Sequence, residues 1–170
     1  FALVRAQTDH LEKDPKSVTL QIDQEWISDY SAQNVIGMIP GESDSMIVFT
    51  AHYDHLGRMG KDIYIPGAND NASGSAMLLD LAKDYVGSKP KHTLVFIWFA
   101  GEEAGLVGSR YFVDNPMISL EKIKFLINLD LMGDAGKGIT AVNGKIFTDH
   151  FDQLVEINTK NSLLDEVKAR

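Results

Sequence analysis

The 170-residue sequence contains no cysteine, which excludes disulfide bonds and thiolate metal sites. Basic residues are scarce as well: 16 Lys and Arg stand against 24 Asp and Glu, and the net charge is -8. A surface of that sign disfavours nucleic acid and anionic membranes as partners. No apolar run reaches the roughly 18 residues that a membrane span needs, and no signal peptide is recognisable. A metal held by carboxylates, in contrast, suits an acidic chain.

The composition that remains is typical of a globular fold. Hydrophobic residues make up 44% of the chain and charged residues 24%. This length suits one domain with a sizeable core, so we predict a single domain over residues 1–170. The sequence starts at Phe1 rather than Met, and we therefore expect a processed or excised piece of a longer protein.

Strand-like and helix-like segments alternate along the chain. Strands are predicted at 17–27, 31–40, 46–51, 93–100, 123–131 and 138–142. Helices are predicted at 70–86, 106–114 and 147–158. This alternation predicts a three-layer α/β/α fold with a mostly parallel mixed sheet. The first two strands are expected to form an antiparallel edge near the N-terminus, and beyond Ser162 the pattern predicts no element.

Polar, titratable residues follow at the points where three apolar strands end. These ends are His52-Tyr53-Asp54, Gly101-Glu102-Glu103 and Asn128-Leu129-Asp130. A glycine-bounded loop at 67–74 adds Asp70 just before a helix. Because the carboxyl ends of parallel strands lie along one edge of a sheet, we expect these side chains to lie close together.

Each of these side chains also has a purely structural interpretation. His52 could be a hydrogen-bonded histidine, Asp70 a helix cap, Asp130 a loop residue bonded to amides, and Glu102-Glu103 a solvated turn. Taken together, however, four carboxylates at one edge would repel one another and raise each other's pKa. A divalent cation removes that conflict. Histidine with carboxylates suits Zn²⁺, with Mn²⁺ or Co²⁺ as substitutes.

The loop at 67–74 has two other interpretations. As a phosphate cradle it lacks the P-loop pattern and its lysine, and Asp70 would repel phosphate. The triplet Asn71-Ala72-Ser73 matches a glycosylation sequon, which arises often by chance. We therefore prefer the interpretation of this loop as part of a metal site.

Four stretches of the sequence, in this order and spacing, resemble the M28 family of zinc aminopeptidases: TAHYDHLG, GANDNASG, FAGEEAGLVGS and NLDLMG. The resemblance covers residues 34–133 and is weak before residue 31 and after residue 136. It implies an α/β sheet with two zinc ions close together at its carboxyl edge. It also implies that residues 1–170 are an incomplete catalytic domain of this family.

The resemblance assigns a role to most of the clustered side chains. The implied metal ligands are His52 and Asp130 on one ion, Glu103 on the other, and Asp70 between them. Glu102 would be the general base, and the Asp70–Asn71 peptide bond would be cis. We further expect Asp54 to accept the second ring N–H of His52, which fixes the tautomer and makes the other nitrogen a better ligand.

The implied reaction is hydrolysis of the first peptide bond of peptides that have a free N-terminus. A water held between the two metals would attack the carbonyl, and Glu102 would carry the proton. Three alternatives stay open: a carboxypeptidase or a single-zinc glutaminyl cyclase on the same fold, and a non-catalytic binding module. The resemblance also favours a secreted or periplasmic location.

The family pattern calls for one more histidine on the second metal. Only His150 follows Asp130, and it falls in a predicted helix, so we predict that His150 is not a ligand. The missing ligand is expected beyond Arg170. With Asp70 and Glu103 alone on the second ion, the chain is predicted to bind at most about one Zn²⁺ tightly. His55 has no role in this scheme and is expected to be structural or merely close to the pocket.

Overall fold

The computed structural model describes residues 19, 25, 27–133, 136 and 138–170. The chain divides into two compact units, residues 1–31 and residues 32–170. In the first unit a turn at 28–29 is described, and nearly all of the predicted strand at 17–27 lies outside the described residues. The single domain over residues 1–170 stays a prediction.

All helices and strands of the described residues lie in the second unit. The strands are β1 (Val35–Ile39), β2 (Ser43–His52), β3 (Gly57–Met59), β4 (Ile63–Ile65), β5 (His92–Phe99), β6 (Ile123–Asn128), β7 (Gly138–Ala141) and β8 (Glu166–Ala169). The α-helices are α1 (Gly74–Tyr85), α2 (Val107–Asp114) and α3 (Thr148–Asn161). Short helical segments occur at Ala68–Ser73 and Leu120–Lys122. None of the described helices is long and apolar enough to cross a bilayer.

Four strands form the main sheet, in the order β1-β5-β2-β6. Strand β2 runs parallel to both of its neighbours, and β1 closes one edge antiparallel to β5. The register places His52 opposite Phe99 and Thr50 opposite Asn128. The three parallel strands therefore end at one edge, which confirms the predicted mostly parallel sheet with an antiparallel edge strand near the N-terminus; the expected pairing of that strand with 17–27 stays a prediction.

Apolar side chains cover both faces of this sheet, because successive residues of a strand point to opposite sides. One buried cluster contains Met46, Val48, Val95, Ile97 and Phe112. The other contains Ala51, Leu78, Leu94, Phe96 and Leu129. Helix α2 contributes Phe112 to the first cluster and α1 contributes Leu78 to the second. The two helices thus lie on opposite faces, and the predicted three layers are confirmed.

The structure also differs from the sequence-based boundaries. Helix α1 starts at Gly74, not residue 70, because Asp70 and Asn71 have non-helical backbone angles in the segment before it. Strands β3 and β4 form an antiparallel hairpin that the sequence pattern did not predict. Strand β8 pairs in parallel with β7, in the region beyond Ser162 where no element was predicted.

Two neighbouring leucines of α1 test which of its faces packs on the sheet. Leu78 is fully buried, whereas Leu79 is 60% exposed. We predict that Leu78→Ala lowers the free energy of unfolding by about 2–5 kcal/mol, since it removes methyl groups from a packed cluster and leaves a cavity. Leu79→Ala is the matched control and should change it by less than about 0.5 kcal/mol. Urea unfolding measures the free energy of unfolding of both variants. Equal losses of stability would contradict the assignment of the Leu78 face of α1 to the sheet.

Candidate metal centre

His52 is the last residue of β2, and only 5% of its side chain is exposed. Its Nε2 atom lies 3.1 Å from Oδ1 of Asp70 and 3.6 Å from Oδ1 of Asp130. Oε2 of Glu102 is 4.0 Å from the same nitrogen. The structure therefore brings together side chains from β2, the loop before α1 and the ends of β5 and β6, as the strand ends predicted.

The other ring nitrogen of His52 sets the tautomer. Nδ1 lies 3.1 Å from the backbone carbonyl oxygen of Asp54, which can only accept, so Nδ1 carries the proton. Nε2 then presents its lone pair to the carboxylates of Asp70 and Asp130. The predicted bond to the Asp54 carboxylate is replaced by this one: Oδ1 of Asp54 is 3.6 Å from Nδ1, beyond hydrogen-bonding distance.

The Asp54 carboxylate instead holds the turn that follows β5. Its Oδ1 accepts the backbone N–H of Glu102 at 2.9 Å, and its Oδ2 accepts that of Glu103 at 3.1 Å. Gly101 has φ +65°, a left-handed conformation that glycine adopts without strain. Asp54 thus orients the two glutamates through their backbone, which is a positioning role that local sequence spacing does not reveal.

Asn71 fixes the loop that carries Asp70. Its side chain is 1% exposed; Nδ2 donates to the carbonyl of Leu129, and Oδ1 accepts from the N–H groups of Gly74 and Leu131. The Asp70–Asn71 peptide bond is cis, as the resemblance implied. Because Asn71 is buried and its amide nitrogen is bonded to Leu129, that nitrogen is not accessible to a glycosylating enzyme in the folded chain.

Two further side chains join this loop to the segment after Asp130. Oδ1 of Asn69 accepts the N–H of Gly133 at 2.8 Å, and the hydroxyl of Ser73 accepts the N–H of Met132 at 2.8 Å. The carboxylates of Asp70 and Asp130 are therefore carried by backbone segments that are bonded to each other.

Glu102 has a perturbed acidity. Burial raises the pKa of its carboxyl above the ordinary value; the nearby His52 opposes that shift, and the negative charges of Glu103, Asp130 and Asp54 add to it. The mutual repulsion predicted for the clustered acids is thus confirmed for this group.

The ligand-type atoms form two overlapping clusters. One contains His52, Asp70 and Asp130, and the other contains His55, Asp70 and Glu103. Within each cluster, one ligand atom of each residue lies within 4.8 Å of the other two. Nitrogen and carboxylate donors in groups of three fit Zn²⁺, and Mn²⁺ or Co²⁺ accept the same donors. Asp70 belongs to both clusters, which suits a bridging position.

Two histidines outside the predicted ligand set have different surroundings. His55 lies in the second cluster, which sequence reasoning missed; its only signal was its position three residues after His52. His150 stacks on Phe125, with ring centroids 4.1 Å apart, and belongs to neither cluster. The expectation that His150 is not a ligand agrees with this placement.

A cavity of about 570 Å³ opens beside the clusters. Its polar end contains His52, Glu102 and Asp130. The rest of the lining is largely apolar and includes Val48, Ile97, Phe99, Leu106, Phe112 and Leu126. An apolar recess next to convergent polar groups is the usual form of a small-ligand site.

A sheet edge of this kind, with histidines and carboxylates clustered where parallel strands end, is the arrangement of a metal site in an α/β fold. Residues 34–164 match peptidase family M28, and the chain therefore belongs to that family of metallopeptidases.

Relatives of known name include both peptidases and cyclases. A probable leucine aminopeptidase of Trichophyton verrucosum is 38% identical over 114 residues, 62% of this chain and 30% of the relative. The zinc aminopeptidase BSAP of Bacillus subtilis matches with a TM-score of 0.66 and 25% identity, over 84% of this chain and 35% of that one. A glutaminyl cyclase of Bacteroides thetaiotaomicron matches with a TM-score of 0.60 and 25% identity, over 80% of this chain and 56% of the cyclase chain. The chain spans about 30% of the length of the first curated relative.

The positioning role of Asp54 predicts a stability effect. Asp54→Asn keeps the shape of the side chain but replaces one of its two accepting oxygens with an NH₂ group. Either the backbone N–H of Glu102 or that of Glu103 then loses its acceptor. We expect the free energy of unfolding of the metal-free protein to fall by about 1–2 kcal/mol, because the lost bonds outweigh the relief of repulsion.

Asp62→Asn is the control, since Asp62 is an exposed carboxylate in the β3–β4 turn. It should change the free energy of unfolding by less than about 0.5 kcal/mol. Urea unfolding in the presence of a chelator gives both values. If Asp54→Asn is as stable as the control, the Asp54 carboxylate does not hold the turn.

Proposed function

We propose that the protein that carries this chain is a zinc-dependent aminopeptidase with two metals in its active site. The observation that carries the proposal is the pair of ligand clusters that share Asp70, with the Glu102 carboxyl beside them. One ion would be held by His52, Asp70 and Asp130, and the other by Asp70 and Glu103 with further ligands. When bound, the ions supply Lewis acidity to the scissile carbonyl and lower the pKa of an attacking water.

Glu102 is the proposed general base. It is next to the ligand Glu103 in sequence, yet the shared Asp54 anchor holds their two backbone N–H groups and leaves both carboxylates free to face the edge. Its Oε2 lies 4.0 Å from Nε2 of His52, beside the first cluster without belonging to it. Glu102 accepts the proton of the attacking water and passes it to the leaving amine.

The charge of the edge supports an exopeptidase that acts on free N-termini. Asp70, Glu102, Glu103 and Asp130 give a cluster of negative charge that attracts the α-ammonium group of a peptide. The apolar cavity next to Glu102 has room for an aliphatic or aromatic first side chain. The names of the curated relatives, leucine aminopeptidases, agree with such a side chain.

Glutaminyl cyclase activity is the second candidate, because a glutaminyl cyclase is among the similar structures. A single-zinc cyclase needs one ligand cluster, whereas this chain has a second cluster with its own residues, His55 and Glu103. The second cluster favours the peptidase.

The assay that separates these activities compares four substrates. A peptide with an apolar free N-terminus should be hydrolysed, and its N-acetylated form should not. A C-terminally directed substrate and a peptide with N-terminal glutamine report carboxypeptidase and cyclase activity. Turnover of the glutamine peptide to a cyclised product, without hydrolysis of the first peptide, would overturn the proposal.

The proposed base gives a kinetic prediction. Glu102→Gln should lower kcat by about 10²–10⁴ while metal content and folding are retained, because the amide cannot accept a proton. Steady-state kinetics with elemental analysis of the same preparation measures both quantities. Activity within a few-fold of wild type would exclude Glu102 as the base.

The neighbouring glutamate is the matched control for metal binding. Glu103→Gln should lower the affinity for one metal, because a neutral amide oxygen is a weaker zinc ligand than a carboxylate. Elemental analysis after dialysis against limited zinc gives the stoichiometry. Full occupancy in that variant would overturn the assignment of Glu103 as a ligand.

A further inference from the structure

His55 is a member of the second cluster, and the reaction described above gives it no role. Its Nδ1 atom is 2.7 Å from Oε1 of Glu103, and 19% of its side chain is exposed. The Nδ1 atom itself is buried. With Asp70 it completes a group of one nitrogen and two oxygens whose ligand atoms lie within 4.8 Å of one another.

The contact between His55 and Glu103 is not a hydrogen bond. Although the two atoms are 2.7 Å apart, Nδ1 has no partner in hydrogen-bonding geometry among the described residues. A buried polar atom without such a partner is costly unless something else satisfies it. Both atoms are of the type that binds zinc, and they are close enough for one cation to contact both at about 2 Å after a small separation of the two side chains.

The fold places His55 there through its neighbour. The Asp54 carboxylate is anchored to the backbone N–H groups of Glu102 and Glu103, and this brings the next residue against the Glu103 side chain. The chain at 53–56 is neither helix nor strand, so the alternation of an extended strand does not direct His55 away.

Gly67 allows the Asp70 loop to approach from the other side. It has φ +63°, and a Cβ atom at this position would lie 2.5 Å from Cγ of His55 and 2.5 Å from the backbone oxygen of Asp70. Only a residue without a side chain permits this approach, which puts Asp70 and His55 side by side. Three separate segments thus converge on the second cluster.

We infer that His55 binds the second metal ion through Nδ1, together with Asp70 and Glu103. This assignment rests on the proposed dinuclear site and adds a ligand to it. The sequence analysis counted two protein ligands for this ion, and His55 raises the number to three, the usual complement of a catalytic zinc. On this assignment the chain holds two metal ions with its own residues, whereas the sequence analysis expected at most about one tightly bound Zn²⁺.

A cysteine substitution reports coordination directly. In His55→Cys loaded with Co²⁺, a thiolate on the metal gives a sulfur-to-cobalt charge-transfer absorption in the near ultraviolet. The described chain has no cysteine, and a difference spectrum against wild type removes any contribution from elsewhere in the protein. The control is His92→Cys, because His92 begins β5 at the end of the sheet away from the clusters and contacts Ser45.

The expected result is two Co²⁺ ions per wild-type chain, a charge-transfer band in His55→Cys and none in His92→Cys. A folded His55→Cys that binds two Co²⁺ without the band shows that His55 is not a ligand, while the dinuclear site stands. A wild-type protein that holds only one Co²⁺ overturns both the assignment and the dinuclear site on which it rests. A wild-type protein that binds no metal overturns the proposed function itself.

A measurement on the wild type covers the case in which His55→Cys does not fold. With ring-¹⁵N-labelled histidine, a zinc titration should shift the Nδ1 resonance of His55 at the second equivalent and the Nε2 resonance of His52 at the first or second. The His55 signal is assigned by its loss in His55→Gln. An unshifted Nδ1 resonance at two bound equivalents would contradict the assignment.

Discussion

The parallel pairing of β2 with both β5 and β6 is the constraint on which the rest of the structure depends. Its register sets His52 against Phe99 and Thr50 against Asn128, so β2 and β5 end together and β6 ends opposite a residue close to the end of β2. The next residues of each strand must then leave the sheet at one edge. Burial of alternate side chains under α1 and α2 fixes that register, since a slip of one residue would turn every core side chain to the wrong face. Packing of the core therefore decides where the clustered histidine and carboxylate side chains meet.

Asp70 depends on a second layer of contacts, because it lies on a loop and not on the sheet. The amide of Asn71 bonds to the carbonyl of Leu129 and to two N–H groups on either side of the cleft, and Asn69 and Ser73 add bonds to the segment after Asp130. These neutral groups hold the backbone of the loop, so the Asp70 carboxylate itself stays available to both clusters.

Local sequence patterns predicted the sheet, its layers and the edge at which polar residues meet, because apolar periodicity and strand ends are local properties. They did not predict which atom of Asp54 faces His52, since the carboxylate is used by N–H groups 48 and 49 residues away. They also left His55 without a role, because the alternation of neighbouring side chains is a property of strands and residues 53–56 lie outside any strand. The β3–β4 hairpin was missed for a related reason: three-residue strands carry too little periodicity to be recognised.

The clustering of carboxylates at the sheet edge also lowers the stability of the folded chain. Burial and the charges of three neighbouring carboxylates raise the pKa of Glu102, and no described lysine or arginine forms an ion pair with any member of the two clusters. A cation that binds the folded edge and not the unfolded chain raises the free energy of unfolding by mass action. The increase is about 2.7 kcal/mol when the free cation concentration is 100 times its Kd. The side chains of Asp54 and Asn71 hold the backbone of the segments that carry the clustered carboxylates, so hydrogen bonds to the backbone and core packing preorganise the site against its own repulsion.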